Sequence, residues 1–162
     1  MSLLHRLEHA GDALAWRGDM PTEGRYTAGV AGERFFRAIK DEGRFLAAVC
    51  VECDIIYMPP RLYCEECFAH LEEWVEVDPV GHVHTFTVVH HDLDEQPLPD
   101  PRIMAFVALD ETDGGLVHYL DGVDPEDVYL GMPVEPVLKD PSERRGSITD
   151  IRYFRPVMGS AG

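Results

Sequence analysis

Four cysteines stand in two Cys-x-x-Cys pairs, Cys50/Cys53 and Cys64/Cys67, and the chain has no others. A Cys-x-x-Cys turn lets two thiolates converge on one ion while backbone N–H groups of the turn face the sulfurs. Two such knuckles joined by a short hairpin complete the closed four-thiolate shell of a structural zinc site. The stretch from Asp54 to Tyr63 between them reads as an apolar strand, a Pro59-Pro60 corner and a short return. Iron suits the same tetrahedron of sulfurs. Two disulfides are disfavoured because nothing in the chain signals secretion. A thioredoxin-type redox pair uses one Cys-x-x-Cys and leaves the second without a role. The expectation is a structural Zn2+ held by Cys50, Cys53, Cys64 and Cys67.

The histidines offer a weaker rival. His82 and His84 alternate along one expected strand and so share a face, with His90, His91 and Asp92 close behind. Two histidines and a carboxylate are a ligand set for a second metal. His118, central to another strand, reads as a satisfied, partly buried histidine.

The elements that must carry these groups are short. A chain of 162 residues supports one ordinary domain, or a small module attached to one. Its net charge of −16 repels phosphate backbones and argues against general nucleic-acid binding. The N-terminus lacks the basic and apolar regions of a signal peptide, and no apolar run is long enough to span a membrane. With thiolates reserved for a metal, the chain reads as cytoplasmic.

Ser2 caps an expected first helix with Leu3, Leu4, Leu7, Ala10 and Leu14 on one face. Residues 18–32, punctuated by glycines, read as a linker. Glu33 to Glu42 forms a second helix, with Phe35, Phe36 and Ile39 on one face and Gly43 as its C′ residue. Arg44 to Val49 is the strand entering the first knuckle, and Leu71 to Val77 the strand leaving the ribbon. Beyond Asp78-Pro79 five strands are expected: Gly81–His90, Ile103–Asp110, Leu116–Leu120, Met132–Leu138 and Ile148–Phe154. A proline-rich loop from Asp92 to Arg102 separates the first two, and Asp113-Gly114-Gly115 turns the second into the third. Asp124-Pro125-Glu126-Asp127 specifies a helical turn between the third and fourth, with Asp as N-cap and Pro at N1. That order is the order of an OB-fold, a five-stranded Greek-key barrel.

The motifs in sequence resemble one family from about residue 26 to 156. They are Phe35-Phe36, Gly43-Arg44-Phe45-Leu46, the two Cys pairs around Pro59-Pro60-Arg61, Trp74, Gly81-His82-Val83, Ala105 to Asp110 and Gly122 to Val134. The family is the acyl-CoA-associated zinc-ribbon/OB-fold family, catalogued as domain of unknown function number thirty-five. The resemblance implies a mainly β chain in four parts. These are an N-terminal helical arm (1–43), a rubredoxin-like zinc ribbon (44–78), a five-stranded OB-fold barrel (79–158) and a tail (159–162). One departure is visible: Asp54 and Phe68 stand where the family often has Gly after each Cys-x-x-Cys. That position often takes a left-handed conformation, which Asp tolerates and Phe tolerates poorly, so the second knuckle is expected to be shaped differently.

Members of the family form complexes with thiolases, hydroxymethylglutaryl-CoA synthase-like enzymes or side-chain aldolases. The resemblance therefore implies a non-catalytic subunit that stabilises a thiolase-like partner and helps shape its acyl-CoA site. The residues agree independently: a thiolase needs a nucleophilic cysteine, and all four here are committed to the metal. Candidate cations for the phosphates of CoA are Arg61, Arg102, Arg144 and Arg145, against a reading as solvated surface arginines; Phe35, Phe36, Tyr26 and Trp74 are candidates for partner contacts, with the chain's own core as the alternative. Two other functions share this architecture, a nucleic-acid-binding OB module and a rubredoxin-like electron carrier.

Overall fold

A computed structural model describes residues 27–92 and 94–157. Helix α1 (Gly29–Glu42) comes first and buries Ala31, Phe35, Ala38 and Ile39. It begins four residues before the expected start, so Gly29 and Gly32 belong to the helix rather than to a linker. Gly43 ends it in the left-handed conformation, φ 72°, with its N–H bonded to Ile39 O at 3.0 Å. The helix expected from residue 3 to 14 lies outside the described residues.

The ribbon is a three-stranded sheet of β1 (Phe45–Cys50), β2 (Ile55–Tyr57) and β3 (Glu73–Val77), in the order β2-β1-β3. β1 is central because its residues are apolar on both faces: Phe45, Ala47, Ala48 and Cys50 are all buried. Five strands follow: β4 (Gly81–His91), β5 (Pro97–Leu109), β6 (Gly115–Leu120), β7 (Pro133–Leu138) and β8 (Ile151–Pro156). They close as β4-β5-β6-β8-β7, and β7 returns to β4 through Gly81↔Val134 and His82↔Pro133. This is the OB barrel. β6 and β8 run parallel and pair only at Leu120↔Phe154, which leaves a seam in the wall. A 3-10 turn at Pro125–Asp127 joins β6 to β7, with the Asp124 carboxylate accepting from Glu126 N–H at 3.1 Å.

Three expectations are corrected. The proline-rich stretch is not all loop: β5 starts at Pro97 and pairs with β4 as far as His91↔Pro97. Pairing with β6 begins only at Ile103↔Leu120, so residues 97–102 have a partner on one side, where a missing N–H costs no ladder bond. The last strand starts at Ile151, because Ile148–Asp150 close into a 3-10 turn with a Ser147/Asp150 capping box. The second knuckle is not reshaped by Phe68: Asp54 and Phe68 both take the left-handed conformation, φ 56° and 60°.

Ribbon and barrel are locked through the backbone of Ile56 and Met58. The Asp113 N–H donates to Ile56 O at 2.8 Å, the Ile56 N–H to the Asp113 carboxylate at 2.7 Å, and the Gly115 N–H to Met58 O at 2.9 Å. The β5–β6 hairpin thus extends the edge of β2. A Cβ on Gly114 would stand 2.0 Å from Met58 O, so only glycine fits at this junction. Phe35, Ile39, Phe45, Met58 and Val77 pack with barrel residues such as Val83, Val107 and Phe154 in one core. The Arg144 guanidinium donates to Ile39 O at 3.1 Å and to Lys139 O at 2.8 Å, tying the C-terminus of α1 to the barrel.

Asp150 holds the segment before β8. It is fully buried, and its carboxylate accepts from the N–H groups of Arg145 (2.9 Å), Gly146 (2.7 Å) and Ser147 (3.3 Å). Burial alone pushes this carboxyl up; the three backbone donors and the Lys139 charge outweigh it and hold it below the usual range. Its contribution to stability is therefore complete above about pH 4, the unfolded value, and is lost as pH falls through the lower folded value. Asp150→Asn should cost about 1–3 kcal/mol in urea unfolding at pH 7, a deficit that narrows below pH 4. Gly114→Ala should cost about 1–3 kcal/mol by forcing ribbon and barrel apart.

Candidate metal centre

The ends of β1 and β2 aim the first knuckle at the second. Cys50 closes β1, and the turn through Asp54 carries Cys53 beside it. The second knuckle is a tight return in which Cys64 N–H donates to Ala69 O at 2.9 Å and Phe68 N–H to Cys64 O at 3.1 Å. Tyr63 and His70 bridge its base.

The four sulfurs lie within 4.8 Å of one another, with Cys50–Cys67 at 3.6 Å and Cys53–Cys64 at 3.9 Å. Metal–sulfur bonds of about 2.3 Å in a tetrahedron separate sulfurs by about 3.8 Å. The residues present therefore fit a four-thiolate ion, and Cys50 and Cys64 are shielded from solvent. Among the described residues this is the one group of three or more metal-ligating side chains. The histidine alternative is not assembled: a register shift falls between Val83 and Thr85. His82 instead bonds Asp110 at 2.9 Å, and His84 lies edge-on to Phe106.

A second layer tunes the sulfurs. The Tyr57 hydroxyl lies 3.3 Å from Cys64 Sγ, and Glu66 N–H donates to the same sulfur at 3.4 Å. The Tyr57 hydroxyl leads in holding the Cys64 thiol down to about 6, while the neighbouring Cys67 sulfur leads in pushing Cys53 up to about 12. Four thiolates this close need a cation between them. No spacing signal marks Tyr57 as part of the site; only its position three residues past Asp54, on the strand facing the sulfurs, does so once the hairpin is closed.

The other sequence candidates scatter. Arg61 lies over the Tyr57 ring at 5.2 Å and pairs with Glu65, and Arg144 is spent on backbone carbonyls. Arg102 lies over the Tyr119 ring at 5.9 Å, and the Arg145 side chain is exposed. Arg102 and Arg145 line different parts of a groove beside β8. Its three confluent cavities, about 460, 690 and 530 Å³, share Arg152, with Lys139 beside Arg145. Sequence reasoning missed Arg152 and Lys139, which only barrel closure brings into line with Arg102. Inside the groove His118 accepts Tyr119 N–H at Nδ1 (2.9 Å), so Nε2 donates to Ile148 O at 3.3 Å. Burial keeps this histidine below its ordinary value, hence neutral.

Of the partner contacts, Phe35 is corrected: it is 2% exposed and packs edge-on against Phe45 in the chain's own core. Phe36 is half-buried beside it. Trp74 is half-buried on the ribbon, with the Arg34 guanidinium 4.3 Å from its ring centre. Tyr26 lies outside the described residues.

A rubredoxin-like ribbon with a four-sulfur site, joined to an OB barrel, defines a two-module class. Residues 37–72 match the rubredoxin-like zinc ribbon domain of ChsH2, and residues 74–139 match the ChsH2 C-terminal OB-fold domain. The chain is 32% identical over 130 residues to a DUF35 domain-containing scaffold protein of Methanocaldococcus jannaschii, covering 76% of this chain and 89% of that one. It belongs to the DUF35 family. The solved structure described as Ltp2-ChsH2(DUF35) aldolase is 27% identical with a TM-score of 0.61, covering 82% of this chain and 98% of that one. A probable enoyl-CoA hydratase alpha subunit of Thermomonospora curvata is 31% identical over 126 residues; the match takes in 76% of this chain and 37% of that protein.

Two outcomes test the centre. Tyr57→Phe removes the hydroxyl from Cys64 and should lower metal affinity about 10-fold in a chelator competition, with the fold retained. Cys64→Ser should abolish binding and unfold the ribbon, read as loss of its amide protection.

Proposed function

We propose that this chain is a non-catalytic subunit of an acyl-CoA complex that makes or breaks a C–C bond, with a thiolase-like catalytic partner and a structural zinc in the ribbon. The observation that carries the reading is the commitment of every cysteine to one closed cluster. A four-thiolate shell has no open position for Lewis-acid work and leaves no thiolate to attack a thioester. The names of two relatives support the reading in part: one pairs a DUF35 chain with Ltp2 as an aldolase, and the other, a probable enoyl-CoA hydratase alpha subunit, supports the CoA ester but not the C–C bond.

In this reading the chain supplies position rather than chemistry. The ribbon and α1 present a rigid face to the partner. Arg102 and Arg145, joined by Arg152 and Lys139, hold the phosphates of the CoA ester, and the apolar floor of the groove takes its pantetheine arm. Arg61 and Arg144, already engaged, hold none. The net charge of −16 gives the partner an acidic surface to recognise and keeps nucleic acid away.

The test is co-expression with the neighbouring genes, followed by assay of the chain alone, the captured enzyme alone and the two together. No turnover for the chain alone, and C–C bond chemistry on acyl-CoA that rises when both are present, is the expected result. Arg102→Ala with Arg145→Ala should raise KM for the acyl-CoA about 10-fold with kcat nearly unchanged, since ground-state and transition-state binding are lost together. A zinc-loaded chain that captures no such enzyme, or one that binds single-stranded oligonucleotides in a salt-sensitive way, contradicts the reading. A coloured, redox-active iron protein contradicts it too.

A further inference from the structure

Two costly features coincide at the tip of the ribbon. Phe68 sits at φ 60°, a conformation that crowds the Cβ of any residue but glycine. Its ring is also 79% exposed, the most exposed large apolar side chain among the described residues. Val51, in the facing knuckle, is 68% exposed. The sulfurs of their neighbours Cys50 and Cys67 are 3.6 Å apart, so both residues belong to the metal-binding end of the ribbon. Strain and exposed aromatic surface coincide at a position where Asp54, in the equivalent turn of the first knuckle, shows that a polar residue suffices. An outlier of this kind points to an interaction that the described residues do not supply.

The surroundings say what covers it. Glu52, Asp54, Glu65 and Glu66 are exposed within three residues of Val51 or Phe68 in the chain, Glu65 being paired with Arg61, and both apolar residues directly follow a cysteine of the four-thiolate cluster. The tip thus presents exposed apolar side chains among mainly acidic ones. A second copy would bring a like-charged rim against it, and an anionic membrane or nucleic acid would be repelled in the same way.

We infer that Phe68, with Val51, is an anchor that inserts into an apolar pocket rimmed by Lys and Arg on the catalytic partner. This rests on the auxiliary-subunit reading and assigns the ribbon tip as its docking point. It also separates two surfaces: the tip holds the protein, while the β6/β8 groove holds the CoA ester.

Phe68→Gly is the discriminating variant because it moves stability and binding in opposite directions. Glycine relieves the left-handed strain, so the thermal midpoint should rise by roughly 2–4 °C with metal content unchanged. Affinity for the purified catalytic subunit, measured by titration calorimetry, should fall at least about 30-fold, as for a central aromatic anchor. Glu52→Lys with Glu66→Lys should weaken binding and flatten its salt dependence. A Phe68→Gly chain that binds as tightly as wild type overturns the tip assignment and leaves the auxiliary-subunit reading standing. A variant that loses metal or melts earlier as it loses affinity also overturns it, since Phe68 would then be a structural residue. A wild-type chain that binds no catalytic subunit overturns both.

Discussion

Convergence of four thiolates is the constraint on which the rest of the molecule depends. The ribbon's own core is only Ala48, Cys50, Tyr57, Cys64 and Leu71, with Ile55 and Trp74 alongside. A cluster of that size cannot offset the conformational entropy of two knuckles and three short strands. Ligand binding and folding are then one equilibrium, because the sulfurs are assembled only when the hairpin is closed. Tyr57 belongs to both sides of that equilibrium: its ring fills the small core, and its hydroxyl steadies Cys64.

What the metal organises is passed to the barrel through a few directional contacts. The Asp113–Gly115 turn reads the edge of β2 by backbone hydrogen bonds, so the relative placement of the two modules is fixed by ladder geometry rather than by loose apolar contact. Arg144 and Asp150 act from the other side. One caps α1 through Ile39 O; the other gathers the N–H groups of the turn that carries Arg145 to the groove. In the proposed reading this stiffness sets the distance between the docking tip on the ribbon and the CoA groove on the barrel.

Much of this was legible in the sequence, and for local reasons. Cys-x-x-Cys spacing has few geometric solutions, a C′ glycine and an Asp-Pro N-cap act within one turn, and alternating strands separated by turn residues announce a barrel. Their order, with a helical turn between the third and fourth strands, was enough for the OB-fold. What was not legible depends on closure. Pro97 to Arg102 enters a strand because β6 ends before it, a fact about register rather than composition. Phe35 turned inward because α1 packs against both modules, and a helix face cannot reveal which neighbour will cover it. Arg144 looked like Arg145 in sequence, yet one is fixed on carbonyls and the other is exposed. Phe68 was expected to distort its knuckle; the turn's hydrogen bonds outweigh the steric cost and impose the left-handed conformation.

Hydrogen exchange, followed by mass spectrometry on the metal-loaded and chelator-stripped chain, tests most directly whether the metal holds the ribbon while the barrel stands on its own packing. The account predicts that stripping exposes the amides of β1, β2 and β3 to rapid exchange and loosens the Asp113–Gly115 turn, while β4 to β8 keep most of their protection. A ribbon as well protected without metal as with it would contradict the account.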